Sequence, residues 1–354
     1  MGKNIVFLAD CLITQKAGIH YYAKQFIQRA IDAYPDNEYY LVVPKAYGGF
    51  DAEEIIIPIN DSIPLHLRIR NVWHIPNVIN KLSPDVVIEM AHFGPFRLDS
   101  AIKRVTVIHD LTPILFPQWH DKASHYVHRI FLRRILSKAN TIIANSQVTK
   151  EAIIEYDPHS KSKIEVSYPS LKIDNEQKEL KNNSNTYFLS VGTLEPRKNY
   201  PQLISAFEII ASQNDDIKLI IVGFKGWKSD PIYNKINNSK YSDRIIIKGY
   251  IEEVELIELY KGAMAFIFPS LYEGFGIPLL ESMTLGTLVI CSDIPICREV
   301  CGDAALYYSG IEALASHMES VLLDPSEYAE NKRKGLERSH QINTASLYLH
   351  AIFG

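Results

Sequence analysis

Short runs dense in Val, Ile, Leu, Phe and Tyr recur along the chain, and between them lie longer stretches whose apolar residues return every three or four positions. The short runs predict strands at 5–9, 39–43, 54–57, 85–89, 105–109 and 141–144. The longer stretches predict amphipathic helices, most clearly at 19–33 and 124–139. Strands alternating with helices in this way imply parallel sheets covered by helices.

The pattern breaks between 167 and 186, where Asp174, Glu176, Lys178, Glu179, Lys181 and a run of asparagines leave little to bury. It then restarts, with strands expected at 187–191, 217–222, 244–248, 265–268 and 288–291 and helices at 201–211 and 252–262. The expected organisation is α/β: a Rossmann-like domain over 1–170, a linker over 171–186 and a second Rossmann-like domain over 187–340. A short helix near 343–353 closes the chain, and the segment 341–354 is expected to pack back on the first domain. Open parallel sheets bind ligands outside the carboxyl ends of their strands. Two such domains facing each other would therefore place a small-molecule site in the cleft between them.

Composition narrows the choice of partner. At 354 residues the chain exceeds one ordinary core, and its net charge of −4 gives no reason to expect nucleic acid. The first 170 residues hold 19 Lys and Arg against 17 Asp and Glu, so the weakly basic half is the one suited to an anionic surface. Four cysteines, Cys11, Cys291, Cys297 and Cys301, make no disulfide framework and no Cys-x-x-Cys pair, so they read as structural residues of a reducing compartment. No apolar run reaches the roughly 18 residues of a spanning helix. The expected location is cytoplasmic, and the basic segment 128–138 offers a peripheral contact with the inner face of the plasma membrane.

The chemistry concentrates after the strand at 265–268. Phe268-Pro269-Ser270-Leu271-Tyr272-Glu273-Gly274-Phe275-Gly276-Ile277-Pro278 is a strand, a loop with two glycines, and a helix start with proline near its first position. The N–H groups of Phe275, Gly276 and Ile277 at such a helix start would point at a phosphate. Glu273 and Glu281 flank the anion site, and carboxylates there suit hydroxyl donors: a sugar for Glu273, a ribose for Glu281. Two glutamates seven residues apart in this setting resemble the signature of the retaining GT-B glycosyltransferases of glycosyltransferase family 4. The resemblance covers almost the whole chain and is strongest from 188 to 308. It implies the GT-B fold and a nucleotide-sugar substrate.

Three further segments fit the resemblance. Ser190-Val191-Gly192-Thr193-Leu194-Glu195-Pro196-Arg197-Lys198-Asn199 carries adjacent cations after a glycine turn. The family's phosphate-binding lysine corresponds to Lys198. Many members have arginine directly after the glycine; here that residue is Thr193, and Arg197 is the candidate substitute. Val105-Thr106-Val107-Ile108-His109-Asp110 ends a strand in a histidine that the resemblance places on the donor sugar, with Asp110 either orienting its ring or capping a turn. Lys16-Ala17-Gly18-Ile19-His20 follows the first strand; it keeps Gly18, but Ala17 and His20 stand where the family often has glycines. Gly223 and Gly249-Tyr250 end two more strands and would surround the base.

The donor set is therefore Gly18, Gly192, Thr193, Arg197, Lys198, Gly223, Tyr250, Glu273, Gly274, Phe275, Gly276, Ile277 and Glu281, with His109, Glu273 and Lys198 closest to the chemistry. No Asp-x-Asp pair occurs, so neither metal nor cofactor is expected; helix N–H groups and Lys198 would carry the diphosphate. The expected reaction moves a hexosyl group from a GDP-mannose or UDP-glucose type donor to a glycan or lipid-linked acceptor, as in polysaccharide assembly. A GT-B-like sugar-nucleotide epimerase and a non-catalytic nucleotide-sugar-binding subunit are the alternatives. A nicotinamide dehydrogenase is disfavoured, because no Gly-x-Gly-x-x-Gly follows the first strand.

Overall fold

The computed structural model describes residues 2–14, 18–60, 69–91, 96–120, 122–171, 186–344 and 352. Lys16 and Ala17, and the polar stretch 172–185, lie outside the described residues. The chain divides into two compact units, Met1–Ser170 with Ala345–Gly354, and Leu171–Thr344.

In the first unit seven strands form one sheet: β1 (Asn4–Leu8), β2 (Glu38–Val43), β3 (Glu53–Ile56), β4 (Val86–Glu89), β5 (Lys103–Ile108), β6 (Thr141–Ala144) and β7 (Ile164–Val166). Their spatial order is β3-β2-β1-β4-β5-β6-β7, and every pair is parallel. The second unit has β8 (Tyr187–Val191), β9 (Lys218–Val222), β10 (Ile245–Lys248), β11 (Ala265–Phe268), β12 (Val289–Ser292) and β13 (Leu306–Tyr308), in the order β10-β9-β8-β11-β12-β13, again all parallel. In each sheet the chain winds outward in one direction, then returns to the middle and winds the other way. That reversal falls between β1 and β4, and between β8 and β11. It is the Rossmann arrangement, in which ligands bind where the direction changes.

Strands buried on both faces explain the apolar runs. Val86, Val87 and Ile88, and Leu219, Ile221 and Phe266, are all closed to solvent. Helices supply the covering layers. In the second unit helix Tyr200–Ala211 buries Leu203, Ile204 and Phe207 beside Leu314, Met318 and Val321 of helix Ile311–Leu323. Helix Gln147–Tyr156 begins where the extended Ser146 accepts from the Thr149 N–H at 2.9 Å, a side-chain cap for an otherwise orphan donor.

The strands expected from the pattern lie within two residues of those observed, and the pattern missed β7 and β13, each three residues long at a sheet edge. Helix Ala329–Thr344 extends through the start of the expected tail helix; most of the remaining tail lies outside the described residues. Ile352 is buried in the core of the first unit with Phe7, Phe26 and Ile88.

Candidate functional site

In the second unit the two strands at the reversal carry the two motifs. The loop after β8 runs through Gly192 to Lys198; the loop after β11 runs from Pro269 to Gly276. The backbone ties them together, since the Leu271 N–H donates to the Arg197 carbonyl at 2.8 Å. The Arg197 guanidinium reaches the Tyr272 carbonyl at 3.3 Å.

Four charges interlock on this frame. The Lys198 ammonium sits 2.6 Å from Glu273 Oε1, Arg197 pairs with the other Glu273 oxygen, and Arg197 Nε lies 2.5 Å from Glu195 Oε1. Ser270 Oγ adds a hydrogen bond to Glu273 Oε1 at 2.9 Å. Lys198, Glu195 and Glu273 are buried, so this is not a solvated surface pair. Burial alone would raise the Glu273 carboxyl, but Arg197 and Lys198 outweigh it and hold it at about 2. Glu195 moves up: burial dominates, against Arg197 and Lys198 and with help from the Glu273 charge. The Lys198 ammonium also lies over the Phe268 ring, 5.1 Å from its centre.

Helix Ile277–Thr284 starts at this cluster. Its cap residue Gly276 has φ +93°, a left-handed conformation that costs glycine little. The first amides of a helix lack intrahelical acceptors, so the helix start offers N–H groups to an anion beside Lys198. Gly274, Phe275 and Gly276 are buried, and Ile277 is half-buried.

One turn further on, Glu281 Oε2 accepts from Tyr260 Oη at 2.8 Å. Glu281 is half-buried, and the protein around it desolvates the carboxyl and pushes it up to about 7. The Tyr260 hydrogen bond pulls the other way and the Glu253 charge adds to the rise. Glu273 and Glu281 thus have opposite settings: one locked as an anion, the other ionising near neutrality.

The ends of β8 and β9 are joined just as closely. The Leu194 N–H donates to the Phe224 carbonyl at 2.9 Å, and the Gly226 N–H returns a bond to Leu194 at 3.1 Å. A Cβ on Gly223 would fall 2.0 Å from the Gly192 carbonyl oxygen, so only glycine fits there. Thr193 turns its methyl toward Gly226. Beyond these turns Phe224 and Tyr250 stack at 5.7 Å, both largely exposed.

In the first unit His109 follows β5 and is buried. Its Nε2 lies 2.7 Å from the Met90 carbonyl and its ring meets Tyr22 edge-on at 5.1 Å. Burial lowers its basicity, against the Met90 carbonyl and the Asp110 charge. Because a carbonyl can only accept, the bond to Met90 needs the proton on Nε2, which leaves Nδ1 of the neutral tautomer as an acceptor. Beneath Met90, the buried Glu89 pairs with Arg104 and accepts from Thr106 Oγ1 at 3.0 Å, which fixes the strand end. Asp110 caps a turn: its Oδ1 accepts from the Thr112 N–H at 2.9 Å and the Thr112 hydroxyl at 2.6 Å. Gly18 opens helix Gly18–Ala33, and His20 Nδ1 lies 3.0 Å from the Leu12 carbonyl. Glu195, Tyr260 and Ser270 escaped the sequence reading. Glu195 stood in the quoted motif beside two cations, a visible signal; Tyr260 meets Glu281 only through the fold.

Two parallel-sheet units with an anion-receiving helix start and flanking carboxylates define a GT-B glycosyltransferase. Comparison with known proteins agrees. The family described as Glycosyltransferase Family 4 matches residues 18–174, and Glycosyl transferases group 1 matches residues 172–338. The chain belongs to these GT-B family 4 glycosyltransferases. It is 28% identical over 262 residues to O-antigen chain mannosyltransferase B of Escherichia coli, covering 70% of this chain and 68% of that protein. It is 30% identical over 257 residues to the serotype-specific mannosyltransferase WbdA of the same organism, a match that spans 67% of this chain but only 31% of that longer protein. Among solved structures, a sucrose-phosphate synthase of Thermosynechococcus elongatus superposes with a TM-score of 0.77 at 17% identity, over 96% of this chain and 94% of that one. The Anabaena protein HepE, solved with UDP and glucose, gives 0.75 at 17% identity over 96% and 97%.

Proposed function

We propose that the protein transfers a hexosyl group, mannosyl by preference, from a nucleoside-diphosphate sugar to a hydroxyl of a glycan or lipid-linked saccharide. Configuration is retained and no metal is used. The observation that carries this reading is the Glu195–Arg197–Glu273–Lys198 network at the start of helix Ile277–Thr284. The diphosphate takes the helix N–H groups and draws Lys198 and Arg197 from Glu273. Glu273, released from one or both cations, accepts hydroxyls of the donor sugar. Glu281 accepts the ribose hydroxyls, and His109 Nδ1 accepts from a sugar hydroxyl. The bond from the anomeric carbon to the leaving phosphate oxygen breaks as the acceptor oxygen bonds on the same face, and the acceptor proton passes to that phosphate. Catalysis then rests on positioning and on neutralising the departing charge.

The mannosyl preference is supported by the names of the relatives above. A lipid-linked acceptor sets the reaction at the cytoplasmic face of the plasma membrane. No described helix is long and apolar enough to cross it.

A thermal-shift panel of nucleotide sugars tests the reading. The true donor should stabilise the protein by about 2.7 kcal/mol at a hundred times its Kd. GDP-mannose is expected to exceed UDP-glucose. Because Glu281 must ionise to accept two hydroxyls, the shift should grow as pH rises through about 7. A panel in which no nucleotide sugar raises the melting temperature contradicts the reading.

A further inference from the structure

The carboxyl ends of β1, β2 and β3 gather a polar and aromatic cluster that the donor site does not use. Asp10 stands two residues beyond β1, beside the reversal of the first sheet, where open parallel sheets bind ligands. Arg70 holds it with three nitrogens fixed. Its Nη2 lies 2.7 Å from Asp10 Oδ1, its Nη1 pairs with Oδ2, and its Nε donates to the Ile57 carbonyl at 2.8 Å. The pair is one-sided: the Arg70 side chain is closed to solvent, whereas that of Asp10 keeps 31% of its exposure. Burying a guanidinium is costly, and a carboxylate with that much access to water needs no such partner to stay ionised. The arrangement instead sets Asp10 in one orientation and leaves each of its oxygens a lone pair for a further donor.

Aromatic rings lie alongside. His20 Nδ1 is 3.0 Å from the carbonyl of Leu12, two residues past Asp10, and its ring centre is 6.3 Å from that of Tyr47. Tyr47 stacks on Phe50 at 5.6 Å with 17° between the planes. The loop that carries both is pinned from β3, where Glu54 accepts from the Tyr47 N–H at 3.1 Å and from the Gly48 N–H at 2.6 Å. His20, Tyr47 and Phe50 are half-buried, so their rings are held yet still meet solvent.

The chemistry of the cluster selects its ligand. A carboxylate repels phosphate, so Asp10 suits hydroxyl donors rather than a diphosphate. Aromatic faces beside it suit the C–H face of an uncharged ring. A lipid tail would use the rings but leave Asp10 without a donor. A cationic peptide would seek a charge that Arg70 already balances. We infer that Asp10, held by Arg70, and Tyr47 form a subsite for one neutral sugar residue of the acceptor. The inference rests on the proposed transfer only in calling that sugar the acceptor, because binding is read without turnover.

Saturation-transfer NMR on the full chain, with no donor present, tests it against mannotriose, maltotriose and chitotriose. At least one trisaccharide should receive saturation. Asp10→Asn should weaken its binding by about tenfold, the scale of one hydrogen bond to a charged group. Tyr47→Leu, which keeps an apolar contact for Phe50 but removes the ring, should weaken it too. Tyr47 lies outside the Asp10–Arg70 pair, so the melting temperature of Tyr47→Leu should match the parent. Calorimetry with GDP should give the same affinity in both variants as in the parent, and in turnover the acceptor KM should rise while kcat holds. Saturation of none of the three sugars overturns the inference, as does parental sugar affinity in both variants. Sugar binding in a protein that takes no nucleotide sugar would instead overturn the transfer reading and leave the subsite standing.

Discussion

Glu273 holds the two cations that a diphosphate would need, and this shapes what single substitutions do. With Lys198 at 2.6 Å and Arg197 on its other oxygen, the carboxylate would compete with a diphosphate for the same partners under the proposed reading. Glu273→Gln should therefore tighten binding of the free nucleoside diphosphate, by about tenfold for one charge-assisted contact removed. It should also lower kcat, because the amide accepts sugar hydroxyls less well. Lys198→Ala should lower kcat by about a hundredfold with little change in KM. Calorimetry with the nucleoside diphosphate and steady-state kinetics separate the two. Equal nucleotide affinity in Glu273→Gln would show that the carboxylate does not compete. Sequence reasoning chose both residues, but it could not show them paired to each other, because 75 residues of chain separate Lys198 from Glu273.

Among elements, the strand-end loops decide the geometry. Gly223 was selected from the sequence as a donor contact. The fold gives it a further reason, since its missing Cβ makes room for the Gly192 carbonyl. Gly223→Ala should therefore destabilise the protein by about 1–3 kcal/mol, the usual cost of overpacking, before any effect on the donor. Denaturant unfolding checks this, and an unchanged midpoint would mean that the loop after β8 yields freely. Strand positions were legible because buried parallel strands are apolar throughout. The edge strands β7 and β13 were not, since three residues such as Leu306-Tyr307-Tyr308 give too short a run to register. Asp110 could not be assigned from its position alone; only the two bonds from Thr112 show that it caps a turn.

At the scale of the whole molecule, each unit has its own sheet, its own reversal of strand order and its own share of the chemistry. The Leu171–Thr344 unit carries the glycine-capped start of helix Ile277–Thr284 with Glu273 and Glu281; the other carries His109. Fold class was legible because alternating strand and helix patterns restart after a polar interruption. The family resemblance starts from the motif Glu273 to Glu281 and is supported by the segments at Gly18, His109 and Lys198; the fold sets the Glu273–Glu281 motif at a strand reversal, where open parallel sheets bind ligands. What remained hidden was what depends on contacts across the chain: the Tyr260–Glu281 hydrogen bond and the pairing of Glu273 with Arg197 and Lys198.

The most direct test of the account is proton NMR of the product formed from an α-configured GDP-mannose donor and a hydroxyl acceptor. The account predicts a new α-mannoside on the acceptor, with GDP released in equal amount. A donor sugar that is epimerised without transfer, or a β-linked product, would contradict it.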